Sequence, residues 1–248
     1  MKNKFIIAMP FYNAKKWVSK SIKSVKLQDY DNFHCVVADD CSTDDSYEVC
    51  KKAIDGDSRF TLVKNEKNLG PLGNAYEAAF LKAKDENEII VILDGDDFFY
   101  SPQTLTILNQ AYNDFNCWMT YGSYINLSDK SRGKFSKQLP DHIVDNSLYR
   151  NYQWSTSHLR SYRFELLKKV NRSHLLDEDG QYFRAACDLA LMYPLLEMSG
   201  HRAKFIDNIL YIWNDLNELN EHKIKMPLQI RCEQKIRSMA KYTKLEEL

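Results

Sequence analysis

The first hundred residues switch repeatedly between short continuous apolar runs and stretches with an apolar residue every three or four positions. KFIIAM (4–9), FHCVVAD (33–39), FTLVKN (60–65) and EIIVILD (88–94) are of the first kind, the pattern of strands buried on both faces. Between them, AKKWVSKSIKSVKLQ (14–28) sets Val18, Ile22 and Val25 on one side of a helix. Ser42 precedes Asp45 by three positions, which predicts a capping-box start for a helix carrying Val49 and Ala53. Pro71 suits a first helical turn, and Leu72, Ala75, Ala79 and Ala83 continue from it as an apolar stripe. Strand and helix alternating in this way imply a mostly parallel α/β sheet with helices on both faces.

The pattern after residue 100 is less regular. WMTYGSYIN (118–126) reads as a strand, residues 127–145 as a polar surface loop, and SYRFELLKKV (161–170) as a short helix. GQYFRAACDLALMYPLLEMSG (180–200) reads as a helix ended by Gly200, with Pro194 kinking or restarting it. A strand over 203–213 and a final amphipathic helix from Met226 onward complete the chain. No repeat, low-complexity segment or linker divides the sequence, so residues 1–248 are expected to form one domain.

Right-handed crossovers bring the carboxyl ends of parallel strands to one edge, where open α/β sheets bind ligands. The four strands end in MPFYN, ADDCSTD, NEKNLG and LDGDD, so polar and acidic groups from four distant segments converge there. The last is the most demanding. Asp94, Asp96 and Asp97 repel one another unless a cation is shared, and carboxylate oxygens suit Mg²⁺, Mn²⁺ or Ca²⁺. The alternative is a polar turn in which Asp97 caps the next element.

Composition narrows the function classes. The 34 basic and 34 acidic residues cancel, so an overall basic footprint for nucleic acid is absent. Six scattered cysteines lack the spacing of a zinc site and predict reduced thiols in a cytoplasmic protein. The apolar run before Pro10 is too short for a signal peptide, and no run approaches a membrane span. A soluble chain, peripheral to a membrane at most, is the expectation.

The run IAMPFYNAKKWVSKSIKSVKLQDYDNFHCVVADDCSTDDS, followed by NEKNLGPLGNA and VILDGDD, resembles the family 2 nucleotide-sugar glycosyltransferases, which have the GT-A fold and invert the sugar. The resemblance covers residues 5–100 as four motifs in order and makes that half the nucleotide-sugar side, leaving 101–248 for the acceptor. It implies that Pro10, Tyr12 and Asn13 line the nucleotide pocket, with the Tyr12 ring against the base and the Asp40 carboxylate, beside Asp39, accepting its imide hydrogen. Capping of the helix after Ser42 is the other role open to Asp39 and Asp40. Asn68 and Gly70 would let the backbone approach the nucleotide, although the same pair makes a simple helix entry. Asp94 and Gly95 would contact the nucleotide, and Asp94 and Asp96 would hold Mn²⁺ or Mg²⁺.

An inverting transfer needs a base for the acceptor hydroxyl. In the resemblance that position falls on Asp188, with Cys187 where an acidic residue often stands; Asp177, Glu178 and Asp179 are rivals. Asp188 is also four residues from Arg184, so a helical ion pair is its plain structural alternative. Trp154, His158 and Arg160 are candidate acceptor contacts, and His222 a candidate late metal ligand or a solvated loop residue. Together these imply a UDP-sugar as the donor and a glycan, lipid or protein hydroxyl as the acceptor. A nucleotidyltransferase would carry a glycine-rich basic loop where PFYNAKKW stands, and a non-catalytic sugar-binding relative would lack the acidic set.

Overall fold

The computed structural model describes residues 1–218 and 226–248. Strands β1 (Phe5–Phe11), β2 (Phe33–Asp39), β3 (Phe60–Lys64) and β4 (Ile89–Ile92) alternate with helices α1 (Val18–Lys26), α2 (Ser46–Ile54) and α3 (Gly70–Lys82). Then follow β5 (Phe98–Phe99), α4 (Thr104–Phe115), β6 (Met119–Asn126), α5 (Asp141–Asp145), β7 (Arg160–Arg163) and α6 (Phe164–Lys168). Helix α7 (Cys187–Ser199), strand β8 (Ala203–Trp213) and helix α8 (Met226–Ser238) complete the described elements.

One eight-stranded sheet runs in the order β3-β2-β1-β4-β7-β6-β8-β5. The β3-β2-β1-β4 block is parallel, as expected. Beyond it β7 runs antiparallel to both β4 and β6, β8 runs parallel to β6, and β5 returns antiparallel on β8. Period-two alternation divides the core. Ile6, Ala8, Val36, Ala38, Ile90 and Ile92 face α3 and α7, whereas Phe5, Ile7, Met9, Cys35, Val37, Ile89 and Val91 face α1, α2 and α4. Cys35, Cys41, Cys50 and Cys117 are free thiols. No helix among the described residues is long and apolar enough to cross a membrane.

Several elements depart from the sequence reading. Residues 160–163 are strand rather than helix, because their backbone groups are taken up between β4 and β6; only Phe164–Lys168 is helical. Within 127–145, Asp141–Asp145 forms a helical turn after Pro140. The helix expected from 180 begins only at Cys187, since Ala186 has φ 54° and breaks the run. Pro194 lies inside α7 without ending it; every residue from Leu189 to Ser199 is buried, and that packing offsets the missing N–H. The last helix stops at Ser238. Ser42 caps nothing: α2 starts at Ser46, and the Ser42 hydroxyl accepts the Asn13 N–H instead. Helix α4 and strand β5 had no counterpart in the sequence reading.

Candidate active site

The carboxyl ends of β1 and β2 are stitched together before any ligand is considered. Asn13, in the left-handed region at φ 48°, accepts the Thr43 N–H at 2.9 Å through Oδ1. Pro10 is buried in β1, and its carbonyl accepts the Gly95 N–H at 2.9 Å, which docks the acidic turn on β1. Tyr12 just beyond remains 46% exposed, leaving a ring free at the edge.

Both carboxylates of the Asp39-Asp40 pair serve the main chain. Asp39 Oδ1 accepts the Ser42 N–H at 2.8 Å, a bond that closes the loop after β2. Asp40 accepts the N–H groups of Leu69 and Gly70 at 2.7 and 2.8 Å and the Asn65 amide at 2.9 Å. It therefore caps α3, not the helix after Ser42, and is buried in doing so. Asn68 donates to the Asp40 carbonyl at 2.9 Å and receives Arg184 Nη1 at 2.5 Å. Gly70 has φ 78°, and a Cβ there would sit 3.0 Å from Arg184 Cδ. Arg184 is thus committed to the α3 entry and does not pair with Asp188.

The turn after β4 is sealed from the far side of the sheet. Tyr211, near the end of β8, donates to Asp97 Oδ2 at 2.5 Å and lies 3.4 Å from Asp94 Oδ2. The Asn214 N–H reaches Asp97 Oδ1 at 2.7 Å, and the Asn217 amide reaches Asp96 Oδ2 at 2.6 Å. His158 stacks on the Tyr211 ring, 4.4 Å between centroids and 6° from parallel. Ligand-capable atoms of Asp94, Asp97 and His158 all lie within 4.8 Å of one another. That trio could hold a cation; the Asp96 carboxylate, on the same turn, accepts the Asn217 amide through Oδ2. His222 lies outside the described residues.

Burial lifts the Asp94 carboxyl to about 6, opposed by Arg160 and reinforced by Asp96 and Asp188. Burial also raises Asp96 and, further, Asp97, whose acidic neighbours add to the effect. His158 is pushed down to about 3 by burial and by the Arg160 charge, so its ring is neutral near pH 7. Two carboxyls that resist ionisation beside a neutral imidazole suit a cation that would favour their charged forms.

Asp188 faces this group across a cleft of about 390 Å³, open solvent included, lined by Pro71, Leu72, Asp94, Arg160, Asp188 and Met192 among others. It sits in the first turn of α7, where the helix dipole favours a carboxylate. Arg160 Nη1 lies 2.5 Å from its Oδ1. Burial pushes the Asp188 carboxyl up, but Arg160 outweighs it and holds the group below its ordinary value. The rivals stand elsewhere: Asp177 accepts the Asp179 and Gln181 N–H groups within its own turn, and Glu178 pairs with Lys235 at 3.0 Å.

Of the three acceptor candidates, His158 and Arg160 are buried at the acidic turn and its facing carboxylate. Trp154 packs edge-to-face on Tyr193 of α7, 6.0 Å between centroids. Sequence reasoning missed Tyr211, Asn214 and Asn217. Their signal was present, since YIWNDLN closes another strand with polar residues, as the first four strands do.

Residues 6–171 match the sequence profile described as Glycosyl transferase family 2. The chain belongs to that family. An uncharacterized glycosyltransferase of Haemophilus influenzae is 35% identical over 118 residues, 48% of this chain and 46% of that protein. Among solved structures, S. aureus TarS 1–349 in complex with UDP-GlcNAc superposes with a TM-score of 0.65 at 21% identity, over 90% of this chain and 61% of that one. The mannosyltransferase PcManGT from Pyrobaculum calidifontis, in complex with GDP-Man and Mn²⁺, gives 0.64 at 17% identity, over 98% and 66%. The family 2 chain described here thus has the GT-A fold, and it spans about half the length of the Haemophilus relative.

Proposed function

We propose that this family 2 protein transfers a sugar, with inversion, from a nucleotide diphosphate donor to an acceptor hydroxyl, in a reaction that requires a divalent cation. One observation carries the reading: Asp188 and the acidic turn face each other across a single cleft at the carboxyl ends of the strands. The acceptor hydroxyl gives its proton to Asp188 as its oxygen bonds to the anomeric carbon. The bond from that carbon to the phosphate oxygen breaks, and the electron pair leaves with the nucleotide diphosphate.

Asp94, Asp97 and His158 would hold the cation, and a nitrogen among oxygens favours Mn²⁺ over Mg²⁺. When bound, the cation supplies the positive charge that stabilises the leaving diphosphate. Pro10, Tyr12 and Asn13 bound the base pocket, with the exposed Tyr12 ring as its stacking face. Asp39, Asp40, Asn68 and Gly70 act by fixing the loops around it. The UDP-GlcNAc complex of TarS supports a uridine donor, and the GDP-Man and Mn²⁺ complex of PcManGT supports the cation. A glycan, lipid or protein hydroxyl is the acceptor, and the free thiols of Cys35, Cys41, Cys50 and Cys117 favour a reducing, cytoplasmic setting.

The test is a thermal-shift screen with UDP, GDP, CDP and dTDP, each with and without Mn²⁺, followed by release of nucleotide from the matching sugar donor. A ligand that binds the folded state alone raises the midpoint. The expected result is a metal-dependent shift with UDP and turnover that Asp188→Asn lowers about a hundredfold or more. No shift with any nucleotide would overturn the reading and favour a non-catalytic relative.

A further inference from the structure

Asp188 and Asp94 belong to elements far apart in the chain, and one guanidinium lies between them. Arg160, opposite Ile92 in the β4–β7 register, is buried. Its Nη1 is 2.5 Å from Asp188 Oδ1, and its Nη2 is 3.5 Å from Asp94 Oδ2 and 3.2 Å from His158 Nδ1. Among the described residues its Nε has no hydrogen-bond partner. A guanidinium is flat, permanently charged and fork-shaped, so the separation of the carboxylates it bridges follows from its own geometry. A lysine could match the charge but not the spacing. Just before α7, Arg184 is turned away to Asn68 and does not share the task.

We infer that Arg160 is a positioning residue for the transfer: it fixes the Asp188 carboxylate relative to the acidic turn, and so sets the distance between the accepting base and the departing phosphate. The inference rests on the reading of Asp188 as the base. Arg160 holds Oδ1, which leaves Oδ2 to take the proton from the acceptor. Loss of the fork would free the carboxylate to turn about its side-chain bonds, and Asp94 and Asp188 would face each other without the cation between them. The effect falls on the rate of the chemical step rather than on donor capture.

A double-mutant cycle tests this, with nucleotide release from UDP-GlcNAc or UDP-glucose in Mn²⁺ as the activity and UDP affinity measured separately. Arg160→Gln is expected to lower kcat at least about tenfold while donor KM and UDP affinity move less than about threefold. In an Asp188→Asn background the same change is expected to cost no more than about twofold, since the residue acts through Asp188. Arg160→Lys should restore part of kcat. Equal losses in both backgrounds, or a loss confined to UDP affinity, would overturn the inference and make Arg160 a phosphate ligand. Loss of the melting transition in Arg160→Gln, with normal kcat in a folded Arg160→Lys protein, would leave it a structural charge only. An Asp188→Asn protein with full activity would sink the base assignment, and no turnover by the unaltered protein would sink the transferase reading itself.

Discussion

Asp94 is pulled in opposite directions at the scale of one residue. Burial raises its carboxyl to about 6, and Arg160 works against that rise. A carboxyl that titrates higher folded than unfolded adds stability below its unfolded value near 4, and that stability is lost as pH rises through about 6. In chelator, Asp94→Asn should therefore melt above the unaltered protein at pH 7.5, and the gap should shrink as pH falls through 6 in a series of thermal melts. Gly95 is constrained by space: a Cβ there would lie 2.5 Å from Phe11 Cβ and 3.1 Å from the Pro10 carbonyl. Gly95→Ala should cost about 1–3 kcal/mol in chemical denaturation by overpacking the turn against β1. Tyr211→Phe leaves the buried Asp97 carboxyl short of a donor, and a loss of about 1–3 kcal/mol is expected.

At the scale of elements, α7 is held from both ends. Its first turn presents Asp188, and its last turns bury Glu197, which accepts Arg150 Nε at 2.6 Å and Nη2 at 2.9 Å. Arg150 also donates to the Ile236 carbonyl of α8 at 2.5 Å, and Glu197 accepts the Tyr242 N–H at 2.9 Å. Glu197→Ala strands a buried guanidinium and should cost about 3–5 kcal/mol in a denaturant titration, whereas Arg150→Met with Glu197→Leu should cost less. Asp40→Ala removes both main-chain bonds at the α3 entry and should cost about 2 kcal/mol by the same measurement. Helix and strand identities in the parallel half were legible because each was long and periodic. Residues 160–163 were not, because a four-residue strand has no room for a period and owes its form to the two neighbours it pairs with.

At the scale of the molecule, the site is assembled from β1, β4, β7, β8 and the start of α7, so both halves of the chain should respond to one ligand. Hydrogen exchange with UDP and Mn²⁺ should show added protection at 89–99, 158–163 and 203–217 together. Protection confined to the first hundred residues would contradict a shared site. The family match itself spans 6–171 and so crosses the midpoint of the chain.

The sequence by itself determined the parallel half, the edge where its strands end, the acidic turn and the carboxylate in the later helix, because these follow from local period and from where parallel strands end. Only the tertiary structure decided the partners. Arg184 and Arg160 stand four and twenty-eight residues before Asp188, and the nearer one is spent on Asn68 while the farther one reaches the carboxylate. Likewise Asp97 and His158 stand beside Asp94 because β7 and β8 bring His158 and Tyr211 onto the turn from the other half of the sheet. Spacing along a chain fixes which groups share an element; which of them touch depends on strands that pair across 68 (Ile92–Arg160) to 114 (Phe98–Ile212) residues.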